Sequence, residues 1–194
     1  AICDEEPPVN IDPNTREYTC KIDILYYDKP GLFVVTAQIS NFVPLTAAST
    51  ENFILMETAA INPHDVSWIG IAAGASNQEA SLVLDNWGNV GFSAGNIFAT
   101  AQDLLENGVG PGIINADNNI HINTASGVCS SVSNIPINHV GAPPIVMTGI
   151  SLPFVSGAGS LTTSYVCLDS VPTGPVGTTY SASGANSWQL TFIS

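Results

Sequence analysis

The feature that most constrains this chain is the regular interruption of its apolar stretches by turn-forming residues. Lys29-Pro30-Gly31, Asp85-Asn86-Trp87-Gly88-Asn89, Pro143-Pro144, Gly157-Ala158-Gly159 and Pro172-Thr173-Gly174-Pro175 each stop a short apolar run. Proline lacks the backbone donor that a sheet ladder needs, and glycine and asparagine tolerate the positive φ of tight turns. The runs between them read as strands. In Tyr18 to Asp28, the residues Tyr18, Cys20, Ile22, Ile24 and Tyr26 recur with a period of two, giving one apolar face. Leu32 to Ser40, Phe53 to Met56, Ser67 to Ala72 and Ala80 to Leu84 follow, and the first two of these five runs are expected to pair as a hairpin across Lys29-Pro30-Gly31. The second half adds Ile120 to Ile122, Val128 to Ile135, Ile145 to Leu152, Leu161 to Leu168 and Ser187 to Ile193.

One segment has helical spacing instead. Asn96 can cap a run in which Ile97, Phe98, Ala101, Leu104 and Leu105 share a face, and Asn107-Gly108 supplies a stop. The pattern therefore predicts a mainly β chain, an antiparallel β-sandwich or barrel-like domain with one short helix at about 96–107. Residues 1–17 hold four acids before Glu17 and three prolines, so they read as an extended acidic arm that cannot run in a sheet centre. No repeat or clean linker divides residues 18–194, which form a single β-rich domain with a possible subdivision near 108–119.

Four cysteines occur, Cys3, Cys20, Cys129 and Cys167, with no C-x-x-C pair and no common zinc spacing. Three fully paired intrachain connectivities are open. Cys3–Cys20 with Cys129–Cys167 is favoured because each bond joins neighbouring segments, and an intersubunit bond, from Cys3 above all, is the rival arrangement. Disulfides place the chain in an oxidising compartment. The start Ala1-Ile2-Cys3, without Met, is what removal of a signal peptide would leave, and no stretch approaches the ~20 apolar residues of a membrane helix. A secreted, cell-surface protein without membrane insertion is the expectation.

Charge excludes other roles. All three basic residues, Arg16, Lys21 and Lys29, lie near the start, whereas nine acids and no Lys or Arg occupy residues 31–194. No basic patch can be assembled, so nucleic acid and anionic membranes are ruled out as partners. The acids of the body have no basic side chain from their own segment to pair with, and salt, divalent cations or an acidic medium would relieve their repulsion. A trypsin-like protease has no site after Lys29.

No motif names a reaction. A G-x-S-x-G elbow, a P-loop and a dinucleotide fingerprint are all missing, and Gly108-x-Gly110-x-Gly112 has no lysine partner. His64, His121 and His139 are far apart in sequence, and ordinary surface or core histidines account for them. Glu51, Glu57, Asp65 and Asp85 supply carboxylates for glycoside chemistry only if the fold pairs them, and Trp68 and Trp87 can stack on sugar rings. Asn115, Asp117 and Asn119 place oxygen ligands at alternate positions, as Ca²⁺ favours, but without the Gly and distal Glu of an EF-hand loop; an Asx-rich turn is the plainer reading. No other cofactor is indicated.

The strands carry the functional clue. Exposed sheet edges pair with other chains unless charge, proline or bulges block them, and this chain has no lysine after Lys29 to do so. The uncharged, alternating C-terminal run with Trp188, Leu190 and Phe192 can complete a sheet in its own subunit or in a neighbour. In its cysteines, its missing basic residues and its Gly/Ser/Thr/Ala-rich β body, the whole chain resembles extracellular structural subunits. Such subunits include the disulfide-stabilised sheath proteins of methanogenic archaea and strand-exchanging filament proteins. It departs from chaperone–usher pilins in cysteine placement. The resemblance implies a non-enzymatic subunit that assembles with copies of itself into a sheath, filament or surface layer. The alternative is a secreted carbohydrate- or calcium-binding module.

Overall fold

A computed structural model describes residues 2–5, 17–40, 46–106, 112–130, 135–139, 142–155, 158–173, 180–182 and 188–193. The first four strands stand apart from the rest. β1 (Ile2–Glu5) pairs antiparallel with β2 (Tyr18–Lys21), and β3 (Gly31–Ser40) pairs antiparallel with β4 (Thr46–Leu55). The others form the body: β5 (Ile61–Pro63), β6 (Ser76–Asn86), β7 (Ile97–Ala101), β8 (Leu104–Glu106), β9 (Ile113–Ile114), the single turn α1 (Ala116–Asn119) and β10 (Ile120–Asn123). After these come β11 (Ile135–Pro136), β12 (Asn138–His139), β13 (Ile145–Val146), β14 (Ser160–Ser170), β15 (Tyr180–Ser181) and β16 (Trp188–Phe192).

Two sheets of the body face each other. The larger is antiparallel in the order β11-β10-β14-β6-β5. Its inward residues keep a period of two: Leu82 and Leu84 on β6, Val166 and Leu168 on β14, Ile120 and Ile122 on β10, all buried. The smaller sheet is built on β7, which buries Ile97, Ala99 and Ala101. β16 pairs with β7 along its whole length, and β13 and the parallel β12 pair with its two halves. Phe92, Met147, Ile150 and Leu152 close the core, tied by the mutual hydrogen bonds of Phe92 and Leu152. A third small sheet, β15-β8-β9, flanks them. The architecture is mainly β, with several antiparallel sheets and no closed barrel.

The predicted helix at 96–107 is replaced by β7 and β8. Ile97, Phe98, Ala101, Leu104 and Leu105 fit a helical face, but Ile97, Ala99 and Ala101 fit a strand equally well. Pairing of β7 with three other strands decides between the two patterns. The expected hairpin of Tyr18–Asp28 with Leu32–Ser40 is also replaced. The first run is a strand only to Lys21 and pairs with β1, whereas β3 takes β4 as its partner. A turn at Tyr26–Asp28, where Asp28 Oδ2 accepts the Leu25 N–H at 2.7 Å, ends the alternation that suggested a longer strand. Ser67–Ala72 forms no strand but lies along the mouth of a cavity described below. Part of the acidic arm is regular, since Ile2–Glu5 is a strand; residues 6–16 and 107–111 fall outside the described residues.

Both disulfides have the favoured pairing. Cys3 and Cys20 sit directly across the β1–β2 ladder, with their Cα atoms 4.0 Å apart. Cys129 reaches Cys167 on β14 and fastens the loop after β10 to the outer face of the larger sheet.

Candidate functional site

The ribbon of β3 and β4 is the outstanding surface of the molecule. Ten residue pairs, Gly31↔Leu55 to Ser40↔Thr46, hold it together over a length of about 34 Å. Strict alternation gives it two faces. Leu32, Val34 and Thr36 lie opposite Ile54, Asn52 and Thr50 on one; Phe33 and Val35 lie opposite Phe53 and Glu51 on the other. The Phe33 and Phe53 rings stack at 5.2 Å. One face is uncovered, with Leu32 65%, Val34 60% and Ile54 66% exposed, whereas Phe33, Val35, Phe53 and Leu55 on the other are half-buried. No third strand pairs with either edge among the described residues.

Its root is held firmly. Buried Asn89 accepts the Thr58 N–H on Oδ1 at 2.6 Å, donates its own N–H to Thr58 O at 2.8 Å, and donates Nδ2–H to Met56 O at 2.9 Å. Gly88 makes this approach possible, because a Cβ there would run into the Thr58 carbonyl and come within 2.8 Å of the Ala60 nitrogen. The ribbon is thus a projecting arm with a fixed base.

The second feature is a cavity of about 1100 Å³ between the sheets. Leu82, Ala99, Leu104, Ile122 and Leu168 form its buried apolar floor, Trp68, Tyr180, Trp188 and Leu190 its walls, and exposed Gly70, Ala73, Ser181 and Gln189 bring it to the surface as a groove. The groove is polar mainly at its rim, where His64 and Asp65 lie. Trp68 Nε1 is buried and has no hydrogen-bond partner among the described residues.

The remaining sequence candidates are scattered. Asp85 Oδ2 sits 2.7 Å from His64 Nε2, while Asp85 Oδ1 is buried without a hydrogen-bond partner among the described residues. Asp65 is exposed at the groove, Glu51 lies on the ribbon and Glu57 is exposed just beyond it. Trp87 is exposed, 6.4 Å from Tyr26, and Trp68 lines the groove. His121 Nδ1 lies 3.1 Å from Asp169 Oδ1, off the line required for a hydrogen bond.

Asn115 precedes α1, Asp117 is exposed on its turn, and Asn119 Oδ1 accepts the Ser170 hydroxyl at 2.7 Å. A helical turn points side chains two residues apart in different directions. Glu79, Cys129 and Cys167 cluster closely enough for a metal, but the two sulfurs are bonded to each other and offer no thiolate. Glu79 instead accepts the Ser126 hydroxyl at 2.6 Å and the Gly127 N–H at 2.7 Å, bracing the loop that carries Cys129.

Trp188 and Leu190 on β16 pack half-buried against the core of their own chain, and Phe192 meets Phe92 edge-on at 4.9 Å. The sequence reading missed the groove, since its walls come from residues as distant as Trp68 and Trp188. Of the ribbon, Leu32–Ser40 was visible as a run, but β4 only at Phe53–Leu55, and the pairing of the two was not. Comparison of the chain with protein-family models, with curated proteins and with solved structures finds no match.

Proposed function

We propose that the chain is an exported, self-assembling structural subunit of a sheath, filament or surface layer, whose copies join through exposed β-strand surfaces. One observation carries this reading: a ten-pair, two-stranded ribbon has no third strand on either edge among the described residues, and one of its faces exposes Leu32, Val34 and Ile54. An isolated two-stranded ribbon is marginally stable in water and needs a third strand or a packing surface. A free edge with so little charge is also a template for another chain. Two disulfides suit an oxidising exterior, and no helix among the described residues is long and apolar enough to cross a membrane. The scarcity of trypsin sites suits a protein that lasts outside the cell.

Negative-stain microscopy and sedimentation of the native, oxidised protein over a range of salt concentrations test the proposal. Regular polymers are the expected result. Monodisperse single copies under every salt and redox condition would remove it.

A further inference from the structure

We infer that the groove between the two sheets is the seat for the ribbon of a second copy, with the Leu32–Val34–Ile54 face turned into it. The inference rests on the assembly reading and names its joint. Among the described residues nothing lies on the apolar Leu32–Val34–Ile54 face of the ribbon, and nothing fills the apolar groove. The groove opens to solvent over an apolar floor of Leu82, Ala99 and Leu168, and an apolar occupant would remove that surface from water. A groove of about 1100 Å³ has room for a length of polypeptide.

Two further observations point to a second copy. First, the chain carries a net charge of -13, so copies repel unless the surfaces that meet are uncharged. The inferred face of the ribbon has no charged residue, since Glu51 lies on the other face, and the charged lining of the groove is confined to the His64–Asp65 rim.

Second, the ribbon and the groove are different surfaces of the chain. The ribbon is rooted at Asn89, just past the Asn86 end of β6, whereas the groove runs from Pro63, paired with Leu84, past Leu82 to Leu168 opposite Gln78 and Val171 bonded to Ala75. A contact between unlike surfaces is heterologous and propagates into an open fibre unless its rotation closes a ring.

A complementation experiment tests the joint. The ribbon variant Leu32→Glu/Val34→Glu keeps an intact groove, and the groove variant Ala73→Trp keeps an intact ribbon; Ser181→Arg is a second rim variant should Ala73→Trp fail to fold. Each alone is expected to raise the concentration needed for assembly by at least about tenfold, equivalent to ~1.4 kcal/mol. An equimolar mixture is expected to stop at one-to-one dimers, because only one competent joint remains. Circular dichroism and intact disulfides establish that each variant is folded.

If both variants polymerise like the unaltered chain, or if only one is impaired, this joint is wrong while the assembly reading stands. If the unaltered chain never polymerises, both fall. Saturable uptake of the apolar dye anilinonaphthalene sulfonate by the polymers would show a groove left open for a small molecule and would also overturn the joint.

Discussion

Asn89 and Thr58 exchange two hydrogen bonds, Thr58 N–H to Asn89 Oδ1 at 2.6 Å and Asn89 N–H to Thr58 O at 2.8 Å, and so fix the base of the ribbon to the end of the body. A third bond from Asn89 to Met56 O makes the side chain amide both donor and acceptor. Replacing it removes two part-buried hydrogen bonds to the Met56 and Thr58 backbone, each worth about 0.5–1.5 kcal/mol. Asn89→Ala is expected to lower the unfolding free energy accordingly, read as a lower denaturant midpoint at unchanged slope, and to speed hydrogen exchange at Thr58. Gly88→Ala is expected to be as damaging, because its methyl has no room beside the Thr58 carbonyl. Unchanged exchange at Thr58 in both variants would show that the junction is held elsewhere.

The Cys129–Cys167 bond closes a loop of sequence separation 38, against 17 for Cys3–Cys20. The chain-entropy relation gives about 4 kcal/mol for the first and about 3 for the second. The first also anchors the core sheet, whereas the second staples an exposed ribbon. Cys129→Ser/Cys167→Ser is therefore expected to destabilise the body by about 4 kcal/mol in chemical denaturation. Cys3→Ser/Cys20→Ser should leave the body's transition nearly unchanged. Non-reducing electrophoresis of the unaltered protein should give single-chain mobility, since both bonds are internal.

Legibility from sequence followed the range of the interactions. Ser187–Ile193 was readable because its alternation matches the half-buried Trp188 and Leu190 of β16; Leu161–Leu168 was readable from its β-formers between glycine and proline, not from alternation, since Leu161 is exposed and Ser164 buried. The cysteine pairing was readable because each pair joins neighbouring segments. Ile97–Glu106 was misread because its apolar residues satisfy two periods at once, and only the pairing of β7 with β12, β13 and β16 selects the strand. Tyr18–Asp28 was overextended because alternation says nothing about whether a partner strand exists beyond Lys21. The groove was not readable at all, since Trp68, Leu104 and Trp188 meet only through the tertiary fold.

Limited trypsinolysis offers a test of exposure. The basic residues are Arg16, Lys21 and Lys29, and Lys29 precedes proline, which blocks trypsin. Lys21 ends the exposed strand β2. Cleavage is expected to stop at a product beginning at Ile22, with the β1 segment held by Cys3–Cys20 until that segment is itself released after Lys21. Mass spectrometry of the limit digest checks this. In polymers, continued cutting at Lys21 would place this arm outside the joint, and protection would place it within.

Ionic strength is the last lever, and its sign is fixed by the charge map. Residues 31–194 hold nine acids and no Lys or Arg, so bodies brought together repel. Screening shortens the range of that repulsion from about 30 Å at 0.01 M salt to about 3 Å at 1 M. The uncharged Leu32–Val34–Ile54 face gains from the same change, because the apolar contribution does not depend on ionic pairing. Association measured by sedimentation velocity is therefore expected to strengthen as sodium chloride rises, the reverse of an interface built on salt bridges. Calcium chloride at equal ionic strength should match sodium chloride if screening is the whole effect; an excess with calcium, lost in Asp117→Asn, would assign a bound ion to the Asn115–Asn119 turn. Association that weakens with salt would contradict an apolar joint between acidic bodies.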